Sequence, residues 1–416
     1  MRVWISLIGF LLLCAGSASA ESTLVKGRKT HETKLVKKER EEEKLPEPPP
    51  SLFRVVEYES PAGKLAAYLS VKGESDEKRP AIIWITGGFP AGGGGSYLWE
   101  RPDFANDQSA QAFRNAGMVM MYPTFRGANG NPGLQESFYG EVDDALAALE
   151  YLKTVDYVDP KRIYLGGHST GGTMALLIAA STDQFAAVFS FGPTSDPADY
   201  GADSLTYDPT DVTEAWLRAP INYLDEIRSE TYVIEGISGN SSSLRALRAA
   251  DEDSKIVFST VKNANHFDVL YPINRAFARA IVDGESGKPL GFTSERIQKV
   301  FDEHRRAQRE AQDFRDLATA RENGVAIEKK QTLSFYLFSW DSTTIELVRK
   351  RTKTLGFGNP AIEPMEARDG RKYFRLIVQK ELVPRDLDAV FEASRQLSEI
   401  DVGEFDYSGW LVDGAQ

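Results

Sequence analysis

The sequence predicts an α/β protein in which a mostly parallel, doubly wound sheet is followed by a small α+β domain. Three observations lead to this prediction. Short apolar runs at residues 81–85 and 163–165 are typical of strands that are buried on both faces of a parallel sheet. Both runs lead into glycines, and the second is also followed by an Ala-rich helical run. After Pro289 the apolar pattern changes, which indicates a second, smaller core.

The most informative pattern is Gly167-His168-Ser169-Thr170-Gly171, which lies between the second apolar run and the helical run. A turn this tight from strand to helix leaves almost no room for side chains beside the serine, hence the glycines. The serine lies at a helix N-terminus, whose dipole favours developing negative charge. The pattern therefore predicts Ser169 as a nucleophile; the alternative is an ordinary strand–helix turn whose serine caps the helix.

A serine nucleophile needs a base, and the chain has four histidines, His31, His168, His266 and His304. His31 lies in a charged leader, and His304 lies in a charged helical run. His168 adjoins the serine and cannot turn back to act as its base. His266 follows a strand-like run at residues 255–261, which fits the chain order serine, acid, histidine of the α/β-hydrolase fold. We therefore predict His266 as the base; the alternative is a surface histidine.

The acid partner of the histidine is less clearly marked. Many α/β-hydrolases carry an aspartate three residues after the glycine that ends the preceding strand, and Gly239 occupies that position here. The first candidate is Glu235, at the strand end, and the second is Asp196, one strand earlier. Asn240 could orient an imidazole but could not stabilise its cation by charge. The alternative for Glu235 is a local hydrogen bond at the strand end.

A glycine-rich segment, residues 86–95, follows the first apolar run. Acyl transfer places negative charge on the former carbonyl oxygen, and backbone N–H groups must point at that oxygen. We expect one donor to be the N–H of Thr170, and the other to come from the segment that contains Gly88 and Phe89. The alternative is that the glycines form only a flexible loop.

The span from about residue 53 to residue 282 resembles the catalytic domain of the prolyl oligopeptidase-like α/β-hydrolases. The resemblance is carried by Gly87-Gly88-Phe89, residues 122–130, the acidic helix at 141–152, residues 158–169 and His266. It implies acyl transfer by a Ser–acid–His triad in a peptidase or an esterase. Family peptidases often have Tyr, whose hydroxyl helps to bind the oxyanion, where this chain has Thr86. No large β-propeller fits before the domain, so we expect an open site for small esters or short peptides.

The N-terminus predicts export. Residues 1–20 combine Arg2, an apolar core at residues 3–13 and a cleavage site at Ala20, as in a secretory signal. The apolar core is shorter than the roughly 20 residues that a spanning helix needs. We therefore expect a periplasmic or extracellular protein, and rank lipid attachment at Cys14 below cleavage because the preceding residue, Leu13, is bulky.

Composition excludes several other classes. The formal net charge of −12 argues against nucleic acid and against anionic membrane surfaces as partners. The single cysteine lies in the signal, which excludes disulfides, a thiol nucleophile and thiolate metal sites in the cleaved protein. No metal and no organic cofactor is expected. Residues 21–50 are charged and end in prolines, so we predict a disordered leader before a hydrolase domain at residues 51–290.

Residues 291–324 predict a connecting helix that ends at Asn323-Gly324. Residues 325–416 then predict the order β-α-β-β-α-β, the ferredoxin-like plan, with a hairpin turn at residues 368–371. Through this order, residues 353–357 and residues 404–410, the tail resembles the domain of the bacterial ribonuclease-activity regulator B family. It contains no histidine and no cysteine, so we expect a structural or protein-binding role.

Taken together, the sequence predicts an exported serine hydrolase that cleaves a small ester or a short peptide, with the ester favoured. The alternative is a catalytically inactive α/β-hydrolase scaffold whose C-terminal domain binds a protein. The empty acid position motivates that alternative.

Overall fold

The computed structural model of the chain describes residues 22–100, 105–252, 255–367, 370–400, 402–403 and 405–412. The predicted signal, with Cys14 and the cleavage site at Ala20, lies outside the described residues. Arg368 and Asp369 of the predicted hairpin turn also lie outside them. Within the described ranges, no helix has the length and apolar character needed to cross a bilayer.

Eight strands form one mixed sheet with the order β1-β2-β4-β3-β5-β6-β7-β8. The strands are β1 (Phe53–Ser60), β2 (Gly63–Ser70), β3 (Arg79–Ile85), β4 (Val119–Pro123), β5 (Val158–His168), β6 (Ala187–Phe191), β7 (Glu230–Gly236) and β8 (Ile256–Val261). Strand β2 pairs antiparallel with β1 and β4, and all pairs from β4 to β8 are parallel. The prediction of a mostly parallel sheet is therefore confirmed.

Helices cover both faces of this sheet. They are α1 (Thr23–Thr30), α2 (Ala112–Asn115), α3 (Gly140–Lys153), α4 (Thr170–Ser181), α5 (Val212–Trp216), α6 (Ser241–Ala250), α7 (Leu270–Asp283) and α8 (Ser294–Glu322). Side chains alternate along each strand, so Ile83 packs in the core with α3 and α4, whereas Ile82 and Trp84 pack in the core with α2 and α7. The carboxyl ends of the parallel strands thus meet at one edge, where the site is built.

The leader is not the disordered spacer that its composition predicts. Helix α1 buries Leu24 completely, and the extended segment after it bonds to the hydrolase, with the N–H of Val36 donating to the Thr206 carbonyl at 2.8 Å. Composition showed only that the leader has too few apolar residues for a core of its own. The composition could not show that the surface of the hydrolase domain provides hydrogen-bond partners for the backbone of the leader. These hydrogen bonds, together with the buried Leu24, order the segment.

A second sheet, of four antiparallel strands in the order β10-β11-β9-β12, follows α8. Its elements are β9 (Gln331–Ser339), α9 (Ser342–Thr354), β10 (Gly358–Glu366), β11 (Lys372–Leu382), α10 (Leu387–Ser398) and β12 (Asp406–Val412). These elements share a core of their own, which includes Ala320 from the end of α8. The start of α8, at Ile297 and Phe301, packs in the hydrolase core instead. The element order agrees with the expected one, and the ferredoxin-like assignment stays a prediction.

Candidate active site

Ser169 lies in the turn between β5 and α4, at φ 56° and ψ −117°. A non-glycine residue rarely adopts a positive φ, and such strain persists only where the surroundings hold it. The flanking glycines show how tight the turn is. A Cβ atom at Gly167 would collide with the Gly171 carbonyl, and a Cβ atom at Gly171 would collide with the Ile85 carbonyl. The turn therefore has the geometry that the sequence pattern predicts, with the serine at the carboxyl end of the sheet.

The structure brings His266 and Glu235 together: Nδ1 of the imidazole lies 2.8 Å from Oε2 of the carboxylate. Glu235 is fully buried at the end of β7. Its Oε1 accepts from the N–H of Gly236 at 2.7 Å, and its Oε2 accepts from the N–H of Asn240 at 2.7 Å. A carboxylate held in this way fixes the imidazole with its proton on Nδ1, which leaves Nε2 available as a base.

Asp196, the second candidate for the acid, has a different place. Its Oδ1 accepts from the N–H of Ala198 at 2.9 Å and caps the short 3-10 helix Pro197–Tyr200. Asn240 does not orient the imidazole through its side chain, since its amide donates to the Gly192 carbonyl at 3.0 Å. Of the carboxylates named from the sequence, the structure therefore brings Glu235, and not Asp196, to the histidine.

Two glycines make room for this pair. A Cβ atom at Gly239 would lie 2.5 Å from Oε1 of Glu235, and a Cβ atom at Gly192 would collide with the ring of His266. Gly239 stands at the position where many α/β-hydrolases carry the aspartate of the triad. The carboxylate of Glu235 thus lies directly beside Gly239. It is carried by the end of strand β7, whereas an acid at residue 239 would be carried by the loop that follows β7.

His168, which the sequence analysis excluded as the base, contacts His266. Its Nε2 lies 2.9 Å from the backbone carbonyl of His266, and because a carbonyl only accepts, Nε2 is the donor. The two rings pack with centroids 4.5 Å apart. Burial lowers the pKa of His168 to about 3, and the neighbouring His266 adds to this, so the ring is neutral at physiological pH. Nothing in the sequence around His168 indicates this contact, which joins the serine turn to the histidine loop.

The expected oxyanion donors flank Ser169. A Cβ atom at Gly87 would lie 3.1 Å from the Cβ of Ser169, so the backbone after β3 passes close to the serine. The hydroxyl of Thr170 donates to the Gly88 carbonyl at 2.6 Å and holds this segment, which continues into Phe89. The N–H of Thr170 is among the first in α4, where backbone N–H groups have no partner within the helix.

The glycine run beyond that segment is braced rather than loose. The hydroxyl of Thr86 donates to the Gly93 carbonyl at 3.1 Å, and Asn129 accepts from the N–H of Gly94 at 3.1 Å. Thr86, which stands where related peptidases often have tyrosine, therefore points into this loop.

Tyr200 is a residue of the site that sequence reasoning missed. Its hydroxyl lies 3.1 Å from the hydroxyl of Thr173 and also interacts with Ser169. Burial raises the pKa of Tyr200 to about 12, against the effect of these hydroxyl partners, so the phenol keeps its proton. Its ring packs edge-on against Phe89 at 5.2 Å and stacks on Phe138 at 5.9 Å. No local pattern marks Tyr200, since only the fold brings its loop beside the serine.

An apolar pocket opens beside the oxyanion segment. Its apolar lining consists of Phe89, Pro90, Ala91, Phe125, Phe138 and Met174. The lining also includes the polar residues Arg126, Gln135, Ser137 and Glu141. Ser169 and His266 line neither this pocket nor the three more polar clefts that lie along α8. Across the described ranges, no group of three His, Cys, Asp or Glu side chains has an arrangement that could hold a metal ion.

Residues 103–233 match the sequence model of the prolyl oligopeptidase family. The matched span contains Ser169 and ends before Glu235 and His266. The chain is 29% identical over 141 residues to the quorum-quenching protein AidA of Acinetobacter baumannii (strain MDR-ZJ06), covering 34% of this chain and 44% of that protein. It is 28% identical over 169 residues to the uncharacterized peptidase YtmA of Bacillus subtilis (strain 168), covering 36% of this chain and 63% of that protein.

Among solved structures, the fold is similar to a puromycin-hydrolyzing peptidase of Mycobacterium tuberculosis, with a TM-score of 0.44 and 19% identity over 56% of this chain and 40% of that one. The chain thus spans less than two thirds of the length of each of these proteins. The family match and the geometry around Ser169 support a serine hydrolase of the α/β-hydrolase type.

Proposed function

We propose that this protein is a serine hydrolase that cleaves small esters or short peptides through an acyl-enzyme. Ser169 is the nucleophile, His266 the base and Glu235 the acid. The observation that supports this most strongly is the 2.8 Å contact between His266 and a buried, fully hydrogen-bonded Glu235, beside a serine at positive φ.

In the first step, Oγ of Ser169 attacks the carbonyl carbon of the substrate while Nε2 of His266 takes its proton. The carboxylate of Glu235 stabilises the imidazolium that forms. The N–H of Thr170 and the N–H groups around Phe89 bind the oxyanion. His266 then protonates the leaving group, and in the second step it activates a water molecule that releases the acyl group.

The hydroxyl of Tyr200 also contributes to the proposed site. The Thr86 hydroxyl donates to the Gly93 carbonyl, whereas the Tyr200 hydroxyl lies near enough to Ser169 for the serine to act on the pKa of the phenol, which burial keeps protonated. We assign Tyr200 the role of an additional donor near the developing negative charge. In this proposal, Tyr200 supplies the hydroxyl that related peptidases supply from a tyrosine at the position of Thr86.

The lining beside Ser169 favours an apolar acyl group. Phe89, Phe138 and Tyr200 meet edge-on or stacked at 5.2–6.1 Å and form one aromatic wall. Phe267 is also exposed in part, and its ring packs against that of His266 with centroids 5.0 Å apart. An ester of an aromatic or branched acid fits such a surface, and so does a short peptide with an apolar residue before the scissile bond.

The empty acid position motivated the alternative of an inactive scaffold, whereas the 2.8 Å contact between Glu235 and His266 supports the proposal of an active enzyme. A protein-binding role of the C-terminal domain and export through residues 1–20 remain parts of the proposal. Fractionation of cells that produce the full chain tests export, since a cytoplasmic, uncleaved protein would contradict it.

A fluorophosphonate probe tests the catalytic assignment. The wild-type chain should be labelled covalently, and Ser169→Ala should not be labelled. Glu235→Gln and Asp196→Asn form a matched pair, each replacing a carboxylate by its amide. We expect Glu235→Gln to lower kcat on an aryl ester by about 10⁴-fold, as removal of a triad acid does. Asp196→Asn should keep kcat near the wild-type value, and the reverse ranking would refute the assignment.

A further inference from the structure

We infer that the leader, residues 22–50, positions the aromatic wall of Phe89, Phe138 and Tyr200 against which the acyl group is proposed to bind. His31 and Thr33 of the leader hold a buried ion pair, Glu214–Arg218, whose guanidinium fixes the turn that carries Phe138. The inference concerns positioning residues for substrate selection, and its catalytic readout rests on the proposed function.

The turn in question is strained. Ser137 and Phe138 are consecutive non-glycine residues with positive φ, 45° and 72°. Such backbone is strained for residues other than glycine and persists only where neighbouring groups enforce it. The turn places the buried ring of Phe138 at 6.1 Å from Phe89 and at 5.9 Å from Tyr200, in the wall beside the serine.

Hydrogen bonds hold the turn from two sides. On one side the carboxylate of Glu141 accepts from the N–H of Glu136 at 2.6 Å and from the N–H of Tyr139 at 3.1 Å. On the other side Nε of Arg218 donates to the Ser137 carbonyl at 2.9 Å, and its Nη2 donates to the Glu136 carbonyl at 3.1 Å. The position of Phe138 therefore depends on where the guanidinium of Arg218 is held.

Arg218 is itself fully buried and needs a partner, because an unpaired buried charge is costly. Its Nη1 donates to the carboxylate of Glu214 at 2.6 Å, and Glu214 is only 1% exposed. The guanidinium also lies over the rings of Tyr139 and Tyr207, at 4.7 Å and 4.2 Å. The pair thus forms one rigid unit against the turn.

The leader supplies most of the remaining contacts of this pair. The carboxylate of Glu214 is bound by Nε2 of His31 at 2.8 Å, by the N–H of Lys34 at 2.7 Å and by the hydroxyl of Thr33 at 2.9 Å. The same hydroxyl accepts from Nη2 of Arg218 at 2.6 Å. Burial acts to raise the pKa of Glu214, but hydrogen bonds from the leader and the charge of Arg218 outweigh it and hold the pKa at about 2.

The leader also touches the turn directly. The hydroxyl of Tyr139 donates to the His31 carbonyl at 2.7 Å. The hydroxyls of Ser137 and Thr206 lie 2.9 Å apart, and the Thr206 carbonyl accepts from the N–H of Val36. Loosening the leader should therefore move the Phe138 wall more than the serine itself, which β5 and α4 hold from within the sheet.

The test compares two aryl esters that differ only in the acyl group, 4-nitrophenyl phenylacetate and 4-nitrophenyl acetate. His31→Ala and Thr33→Val each remove contacts of the pair but leave its charges in place. We expect the ratio of kcat/KM for the phenylacetate over the acetate to fall about tenfold in each variant, mainly through KM for the phenylacetate. His31→Gln, which keeps a donor, should restore most of the ratio. Arg40→Ala is the control, since Arg40 pairs with Glu42 inside the leader.

Hydrogen exchange on the same variants gives a readout that needs no turnover. In His31→Ala the amides of residues 136–139 should exchange faster than in the wild type, whereas those of β5 should not change and Arg40→Ala should match the wild type. An unchanged ester ratio with unchanged exchange at residues 136–139, in both His31→Ala and Thr33→Val, would overturn the inference. Failure of the proposed function has a different signature: the wild type would not react with the fluorophosphonate, while the exchange result would still decide whether the leader holds the turn.

Discussion

The leader and the C-terminal unit, residues 325–412, both lie outside the eight-stranded sheet, but they are held in opposite ways. The C-terminal unit has its own sheet and its own core, with side chains such as Phe335 and Leu376 fully buried inside it. The leader has no core, and its buried Leu24 packs in the core of the hydrolase. A segment belongs to a domain when its buried groups find their partners there, whatever its composition.

Buried polar groups show the same contrast. The Glu214–Arg218 pair of the hydrolase is completed by hydroxyl, imidazole and N–H groups of the leader. Where α8 packs on the C-terminal unit, Asp313 of α8 accepts from the hydroxyl of Ser394 at 2.8 Å, and that hydroxyl lies 2.8 Å from the hydroxyl of Tyr407. One network crosses from the leader into the hydrolase, whereas the other is closed among α8, α10 and β12.

The largest expected effect that follows from this contrast is loss of the leader. Deletion of residues 22–50 should abolish cooperative folding or leave a soluble product with strongly reduced Tm, since it uncovers the Leu24 site and strips a buried ion pair of its donors. Thermal unfolding followed by circular dichroism measures this. If the protein without the leader unfolded at the wild-type Tm, the leader would not contribute to the stability of the hydrolase.

A single side chain tests the same point more gently. Leu24→Ala should lower the free energy of unfolding by about 2–4 kcal/mol, the usual cost of a cavity at a fully buried leucine. Val36→Ala, at a leader side chain that is 62% exposed, is the control and should change it by less than about 0.5 kcal/mol. Urea unfolding measures both, and equal effects would mean that Leu24 is not part of the core.

The network of Asp313, Ser394 and Tyr407 predicts that the stability of the C-terminal unit depends on pH. Burial raises the pKa of Asp313 to about 7, with the charge of Asp316 adding to this and the Ser394 hydroxyl opposing it. The folded state therefore retains a proton that the unfolded state loses, so stability should fall as pH rises from about 4 to about 7 and then level off. Asp313→Asn should flatten this dependence, a difference on the order of 2 kcal/mol. Urea unfolding at pH 5 and pH 8 measures the difference, and parallel dependences on pH for the wild type and the variant would contradict the shift.

The smallest expected effect is on hydrolysis when the C-terminal unit is removed. Both His266 and Ser169 lie before α8, and the core of the unit draws only on the end of α8 outside residues 325–412. A chain that ends at Gly324 should therefore retain kcat/KM on 4-nitrophenyl acetate within about twofold of the full chain, because surfaces remote from the reacting atoms leave the barrier unchanged. Loss of activity without unfolding of the hydrolase would show that the C-terminal unit gates or completes the site.

Features that depend on local geometry could be predicted from the order of the residues alone. The glycines around Ser169 mark a turn in which backbone atoms approach too closely for a Cβ atom, and this requirement is visible in a few consecutive letters. Apolar runs predicted the buried parallel strands for the same reason, because burial on both faces leaves no polar position. The position of His266 followed from the order of these strands.

Tertiary structure decided what depends on distances between remote segments. The choice of Glu235 over Asp196 required Gly192 and Gly239 to leave space around one carboxylate, and no spacing in the chain shows which loops meet. Tyr200 joined the site in the same way. So did the leader, whose composition suggested disorder although its imidazole, hydroxyl and N–H groups bind Glu214 and Arg218. A side chain's role at a site is set by its neighbours in space, and only packing of the whole chain brings those neighbours together.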